Sequence, residues 1–177
     1  MPTKVLDPEE RIAKLLDAGK YELLIPRTDC GMVAATGSIK GNKVVVFASD
    51  PTIKGGALGI EGSQVIVQAY RAAMGAQVPV IGIWHSGGAR LSDGVASLNA
   101  FGEVFQAMVT ASGRIPQLSL VLGPTAGGGA YGPVTKMRPS GARTTMSVSA
   151  GPYAPPPAVG PSTKESWGMR PLAVTIA

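Results

Sequence analysis

Val78-Pro79-Val80-Ile81-Gly82-Ile83-Trp84-His85-Ser86-Gly87-Gly88-Ala89-Arg90 is the stretch on which the fold turns. Val78–Trp84 is a short apolar run fit for a strand buried on both faces. A glycine pair stops it, and Leu91–Ala111 then carries Val95, Leu98, Val104, Phe105 and Met108 at roughly helical spacing. Further on, Leu118–Leu122 is a second buried strand, followed at once by Gly127–Gly129. On the other side, Glu61–Ala73 alternates at helical period, with Val65, Ile66, Ala69 and Ala73 on one side. Before it, Met32–Ile39 and Lys43–Ser49 read as two strands joined by a hairpin turn at Gly41-Asn42. The outermost signal is Asp7-Pro8-Glu9-Glu10, a helix start with an Asp cap, a proline in the first turn and acids near the positive end of the helix dipole. Ile12, Leu15 and Leu16 make its apolar face, and Gly19 ends it. The order is helix, hairpin, helix, strand, helix, strand, glycine loop. Strands alternating with helices imply crossover units, an α/β fold and parallel pairing.

The chain has 177 residues, 45% hydrophobic and 15% charged, which suits one domain with a sizeable core and excludes a disordered charged tail protein. A single cysteine, Cys30, excludes a disulfide framework and any cysteine-rich zinc site, and reads as a small buried hydrophobe. No apolar run approaches 18 residues and Met1–Lys20 is no signal peptide, so neither a membrane partner nor export is expected, and the expected compartment is the cytoplasm. The formal net charge of +5 hints at nucleic acid, but its distribution removes the hint. Residues 1–133 hold eleven basic against ten acidic residues, and residues 134–177 hold five against one. Seven of the 15 prolines also fall in that last segment, so two compositions are joined end to end.

The chemistry gathers in three glycine loops. Gly55-Gly56-Ala57-Leu58-Gly59 follows the hairpin, Ser86-Gly87-Gly88-Ala89-Arg90 follows the first buried strand, and Gly123-Pro124-Thr125-Ala126-Gly127-Gly128-Gly129 follows the second. Two of them lie where a strand ends and a helix begins, where backbone N–H groups and a helix dipole favour an anion or an oxyanion. Glycine lets such a ligand approach the backbone closely. None has the spacing of a P-loop or of a dinucleotide fingerprint. The plainer alternative is three tight turns in a small-residue core. His85 is the only histidine, so a Ser-His-Asp triad and a metal-histidine cluster are both out of reach; it reads as a structural residue at a strand end. Arg90, a cation beside an N–H-rich loop, suits a phosphate or a surface ion pair. Asp50, Glu61 and Asp93 are candidate bases, but nothing in their spacing pairs them.

These residues resemble a known family. Glu10–Gly19, Gly31–Gly37, Gly55–Gly59, Trp84–Arg90 and Ile115–Pro133 are similar to the carboxyltransferase (β) subunit of biotin-dependent acyl-CoA carboxylases of the acetyl-/propionyl-CoA type. The resemblance runs through residues 1–133, in order. It implies a crotonase-like fold of stacked ββα units, with this stretch opening the N-terminal, acyl-CoA-binding half. It also implies a second such half for carboxybiotin carried by a partner subunit (the biotin carboxylase and carrier), and a ring-like homo-oligomer. In that family carboxybiotin loses CO2, the resulting biotin enolate takes the α-proton of the acyl-CoA, and the substrate enolate attacks CO2. Carried over by position, the N–H groups of Gly127 and Gly128 hold the thioester oxyanion, and no metal is called for. Gly55, Gly56 and Ala57, with Ser86, Gly87, Gly88, Ala89 and Arg90, line the CoA side. Gly129 departs from the alanine expected there, which is expected to loosen the loop slightly.

Beyond Pro133 the text changes character, and the genetic code suggests a reason. When positions summing to 284 are paired, Gly151 faces Pro133, Tyr153 faces Tyr131, Trp167 faces Gln117 and Ala177 faces Ala107. In all 27 pairs the first two codon bases can be reverse complements. Gly151–Ala177 therefore reads as the antisense strand of Ala107–Pro133. The same rule applied to Val134–Ala150 decodes to Ala-Leu-Thr-(Asp or Glu)-(Ile or Met)-Val-Val-Leu, the continuation that the family resemblance leads one to expect. Residues 134–177 are thus expected to be an aberrant tail without periodic structure, and the chain an inactive fragment with uncovered apolar faces. Other classes stay open. A crotonase-fold hydratase or isomerase needs placed carboxylates, a non-catalytic CoA-binding fragment binds without turnover, and a basic-tail nucleic-acid binder shows steep salt dependence.

Overall fold

A computed structural model describes residues 6–130 and, for backbone pairing only, residues 146–149. Helix α1 spans Pro8–Leu15, capped by the Asp7 carboxylate, which accepts the Glu9 N–H at 2.9 Å. Glu9 and Glu10 sit in its first turn and Lys14 in its last, each at the end its charge favours. Ile12 and Leu16 press on the sheet while Leu15 is half-buried. The helix stops at Leu15 because Leu16 turns extended, and Gly19 closes a separate short turn, Asp17–Gly19.

Six strands lie side by side in sequence order: β1 Tyr21–Leu23, β2 Met32–Ile39, β3 Asn42–Ser49, β4 Val80–Trp84, β5 Gln117–Val121 and β6 Met146–Ser149. β1, β2 and β3 pair antiparallel; β3, β4, β5 and β6 pair parallel. Helices α2 (Ile60–Ala76) and α3 (Gly94–Ala111) are the crossovers from β3 to β4 and from β4 to β5. Both pack on one face of the sheet and on each other, as successive crossovers of one hand require.

The core has two layers because alternate residues of a strand face opposite ways. Val45, Phe47, Val80 and Trp84 meet Ile66, Tyr70, Val104 and Met108 of α2 and α3. Val44, Val46, Ala48, Ile81 and Ile83 meet Ile12 and Leu16 on the α1 side. Phe47 anchors the helical layer, edge-on to Trp84 at 5.1 Å and tilted to Tyr70 at 6.0 Å between ring centres. Cys30 is buried in that layer, as a small hydrophobe would be.

Four expectations need correction. The hairpin turn is Lys40-Gly41, one residue earlier than expected, with φ of +49° and +77° and Ile39 paired to Asn42. The Asp17 carboxylate accepts both turn N–H groups at 2.9 Å, which holds a lysine in the left-handed region. On α3 the buried face is Ala100, Phe101, Val104, Met108 and Ala111, whereas Val95 and Leu98 point outward at 81% and 57% exposure. Phe101 is buried in the helical layer, with Phe105 half-buried beside it at 5.2 Å between ring centres. β1 was not expected: it is three residues long, too short to show alternation, and its pairing with β2 creates it. The tail was expected to carry no regular element, yet β6 lies within it. The open edge of parallel β5 offers unpaired N–H and C=O groups that an extended segment satisfies.

Candidate functional site

The three glycine loops converge at the C-terminal ends of β3, β4 and β5, the edge at which parallel sheets place their ligands. Chain direction explains the meeting: each parallel strand ends on the same edge, and each crossover helix starts there. The loops are laced by backbone hydrogen bonds. The Gly87 N–H donates to the Gly55 carbonyl at 3.1 Å, and the Leu58 N–H donates to the Gly88 carbonyl at 2.8 Å. In return the Arg90 N–H donates to the Leu58 carbonyl at 2.8 Å, which makes a short parallel bridge between Leu58 and Ala89. The third loop joins through Ala126, whose N–H donates to the Ser86 carbonyl at 2.9 Å.

Close backbone approach explains two of the glycines. A Cβ on Gly56 would overlap the His85 carbonyl oxygen, and one on Gly88 would lie 2.9 Å from the Ala126 carbonyl oxygen. Gly55, Gly87 and Gly127 are exposed along the open side of this assembly, with Gly128 and Ala57 half-buried. Gly128 packs against the Phe101 ring at the first helical residues, 128–130, where the Gly129 and Ala130 N–H groups donate to the Ala126 and Gly127 carbonyls at 3.1 and 3.0 Å. The structure therefore brings together all ten residues singled out in the sequence, but not in equivalent roles. Ser86 is 1% exposed, and its hydroxyl is taken up within the loops. The Arg90 guanidinium donates to the Ala57 carbonyl at 3.3 Å and lies 3.8 Å from the Asp93 carboxylate, while its buried Nε has no hydrogen-bond partner among the described residues.

The candidate bases are placed for other work. Asp50 is buried and accepts from the Thr52 N–H at 2.9 Å, from the Thr52 hydroxyl, and from Arg27 at 3.4 Å. Arg27 also bridges Asp7 at 2.7 Å and Glu9 at 3.0 Å, tying α1 to the turn that leads into the first loop. Asp93 faces Arg90, and Glu61 is exposed in the first turn of α2. His85 is half-buried with its Nδ1 unpartnered among the described residues and packed against Gly123. Burial, and secondarily the Arg11 charge, hold its imidazole below the usual histidine range, toward the neutral form. Among the described residues no group of three His, Cys, Asp or Glu is gathered for a metal ion, and no helix is long and apolar enough to cross a membrane.

Sequence reasoning missed Ser49. Fully buried at the end of β3, its hydroxyl accepts the His85 N–H at 2.7 Å and donates to the His85 carbonyl at 3.0 Å, fixing the strand end from which the second loop departs. A lone hydroxyl ending a valine-rich run was the available signal. A cavity of about 630 Å³ among the described residues lies elsewhere, at the opposite end of the sheet, lined by Lys20, Tyr21, Thr36, Lys43, Ala76 and Val78. It holds none of the singled-out residues. The laced loops carry the stronger case for a site, because they concentrate exposed backbone at strand ends.

Comparison with known proteins bears on this geometry. The sequence pattern of the "Carboxyl transferase domain" family matches residues 9–148, continuing past residue 133. The biotin-dependent acetyl-/propionyl-coenzyme A carboxylase beta6 subunit of Mycobacterium tuberculosis is 51% identical over 127 residues, covering 72% of this chain and 27% of that protein. The propionyl-CoA carboxylase beta chain of Rhodococcus erythropolis is 48% identical over 139 residues, 76% of this chain and 29% of that one. Among solved structures, transcarboxylase 12S with methylmalonyl-coenzyme A and methylmalonic acid bound superposes with a TM-score of 0.68 at 29% identity. That match covers 80% of this chain and 29% of the other. The chain spans under a third of the length of the curated relatives it matches. The fold, a mixed α/β sheet, is the crotonase-like fold of these carboxyltransferases, in part.

Proposed function

This chain belongs to the carboxyl transferase domain family, and on that premise we propose that its three loops form the acyl-CoA side of a biotin-dependent carboxyltransferase. The protein of which this is a part would move a carboxyl group from carboxybiotin to the α-carbon of acetyl- or propionyl-CoA. The observation that carries the reading is the lacing of three glycine loops at one sheet edge with Gly55, Gly87 and Gly127 exposed, and no carboxylate among the loop residues themselves. Backbone N–H groups are then the chemistry on offer. Those of Gly127 and Gly128 hold the thioester oxygen as negative charge develops on it, which lowers the barrier to forming the enolate. Gly55, Gly56, Ala57 and Ser86–Arg90 shape the CoA side, with Arg90 supplying positive charge near phosphate. Of the candidate bases a hydratase or isomerase would need, Asp50 and Asp93 are already held by cations, and Glu61 lies outside the loops on the exposed first turn of α2.

The same reading calls for a biotin-carrying partner subunit, a further crotonase-like half to receive its carboxybiotin, and a ring of several copies. For this chain alone it calls for binding without turnover. Titrating propionyl-CoA into the 15N-labelled chain tests it. The amides of Gly87, Gly88, Gly127 and Gly128 shift together if the reading holds. Shifts confined to the Lys20–Lys43 cavity, or none at all, would overturn it.

Residues 1–133 form the native domain in this proposal, and 134–177 derive from a strand switch at the Gly132-Pro133 codons. The 27 consecutive complementary pairs support that division. Sequencing the source DNA from primers outside the inverted repeat decides its origin: recovery of Ala-Leu-Thr-Asp after Pro133 marks an artefact, and the inverted joint itself marks a genomic event. A coding sequence whose codon doublets are not complementary would end the idea.

A further inference from the structure

We infer that Ser86 is a positioning residue that holds the three loops in register through its buried hydroxyl and does not touch the ligand through its side chain. The inference deepens the reading above and rests on it only for the identity of the ligand. Ser86 is 1% exposed at the centre of the assembly. Its hydroxyl donates to the Gly56 carbonyl in the first loop at 2.8 Å and accepts the Gly88 N–H in its own loop at 3.2 Å. Its carbonyl accepts the Ala126 N–H of the third loop at 2.9 Å. One residue thus bonds to all three loops.

Its surroundings leave that hydroxyl nowhere else to go. A Cβ on Gly129 would stand 2.9 Å from the Ser86 Cβ and 3.0 Å from its Oγ, so the third loop closes directly over the side chain. The missing methyl at Gly129 permits this close packing on Ser86. The hydroxyl has one proton to donate, and the Gly56 carbonyl takes it. A ligand at exposed Gly87 or Gly127 meets backbone whose spacing Ser86 has set. Without the oxygen, the Gly56 carbonyl loses its donor and the Gly88 N–H its acceptor, in a site too closed for water to replace both readily. Only the Ala126 bond would then tie Ser86 across the loops.

Hydrogen exchange measured residue by residue on the 177-residue chain, with coenzyme A as the probe ligand, tests this. In Ser86→Ala the Gly87, Leu58 and Arg90 amides, which lace the loops, should exchange at least tenfold faster than in the parent, with β2–β3 amides changed far less. Coenzyme A binding should weaken at least tenfold in parallel. Unchanged loop exchange overturns the proposal, and so does weakened binding with unchanged loop exchange, because the hydroxyl would then be a direct contact. If the parent binds no coenzyme A, the functional reading fails while the exchange arm still decides the role of Ser86. Should Ser86→Ala not fold, Ser86→Cys keeps a side chain with a single γ-atom but a much weaker donor and acceptor. Loop amides that exchange at least tenfold faster in Ser86→Cys support the staple, and exchange equal to the parent refutes it.

Discussion

Gly55→Ala and Gly56→Ala place the same methyl on adjacent residues of one loop, and the structure predicts different costs. Both residues have left-handed backbone, φ +64° and +73°. Putting an L side chain there costs about 1–2 kcal/mol, of which ~0.4–1 kcal/mol is returned because alanine restricts the unfolded chain. At Gly55 nothing lies within 4 Å of the added carbon, so the net loss should stay near or below ~1 kcal/mol. At Gly56 the new carbon overlaps the His85 carbonyl oxygen and stands 3.1 Å from both the His85 carbonyl carbon and the Ser86 Cα. All three obstacles are backbone, pinned by Ser49 and by the parallel strand beneath them, so they cannot swing aside as a side chain would. Overpacking of this kind adds ~1–3 kcal/mol, for a total of about 2–4 kcal/mol. The assay is urea unfolding of the 177-residue chain, followed by circular dichroism at 222 nm. With a slope of roughly 1–3 kcal/mol/M, Gly56→Ala should lower the midpoint by about 1–2 M and Gly55→Ala by less than about 0.5 M. If the two variants lose stability equally, within ~0.5 kcal/mol, the loop is not held against β4 and the argument for a laced site collapses with it.

Two further outcomes follow from the charge cluster and from α3. The hydrogen bond from Arg27 holds the Asp7 carboxyl below its ordinary range, and those from Tyr21 and Arg27 do the same for Glu9. Both folded-state values are depressed, so their contribution is fully present above the unfolded values near pH 4 and is lost as pH falls through the lower folded values. Arg27→Gln should cost about 1–2 kcal/mol at neutral pH, since the Asp7 and Glu9 pairs are partly exposed but Asp50 is buried, and should flatten the decline in urea midpoint between pH 5 and 2; an unaltered decline would contradict the pairing. On the outer face of α3 and the turn before it, Leu91, Val95 and Leu98 are 85%, 81% and 57% exposed. Replacing all three with glutamine should change the unfolding free energy by less than about 0.5 kcal/mol per site while lowering concentration-dependent association in sedimentation velocity. A loss of several kcal/mol would show that the face is covered.

Local signals carried much of this architecture. Short apolar runs, a hairpin signal and helical patterns identified β2–β5 and all three helices, and the alternation of strand and helix implied the parallel pairs. The three loops were legible because glycine runs at strand ends have few other uses. What a linear reading cannot weigh is competition between partners. It put Val95 and Leu98 inside because their spacing fits a helix, whereas the face that α3 packs against α2 carries Ala100, Phe101, Val104 and Met108. It put the hairpin turn at Gly41-Asn42 because it could not see Asp17 reaching across to hold Lys40.

The sequence by itself determined the family, the order of the longer elements and the positions of the three glycine loops, since those are written in neighbours along the chain. Only the tertiary structure decided what each of the singled-out residues contacts and how far it is buried. Ser86 and Gly87 are adjacent in the text, yet one is sealed beneath Gly129 with its hydroxyl used up and the other is exposed. The same holds for Ser49, whose purpose appears only when β4 ends beside it. Hydrogen-bond partners and burial are set by contacts between segments tens of residues apart, and no local pattern encodes them.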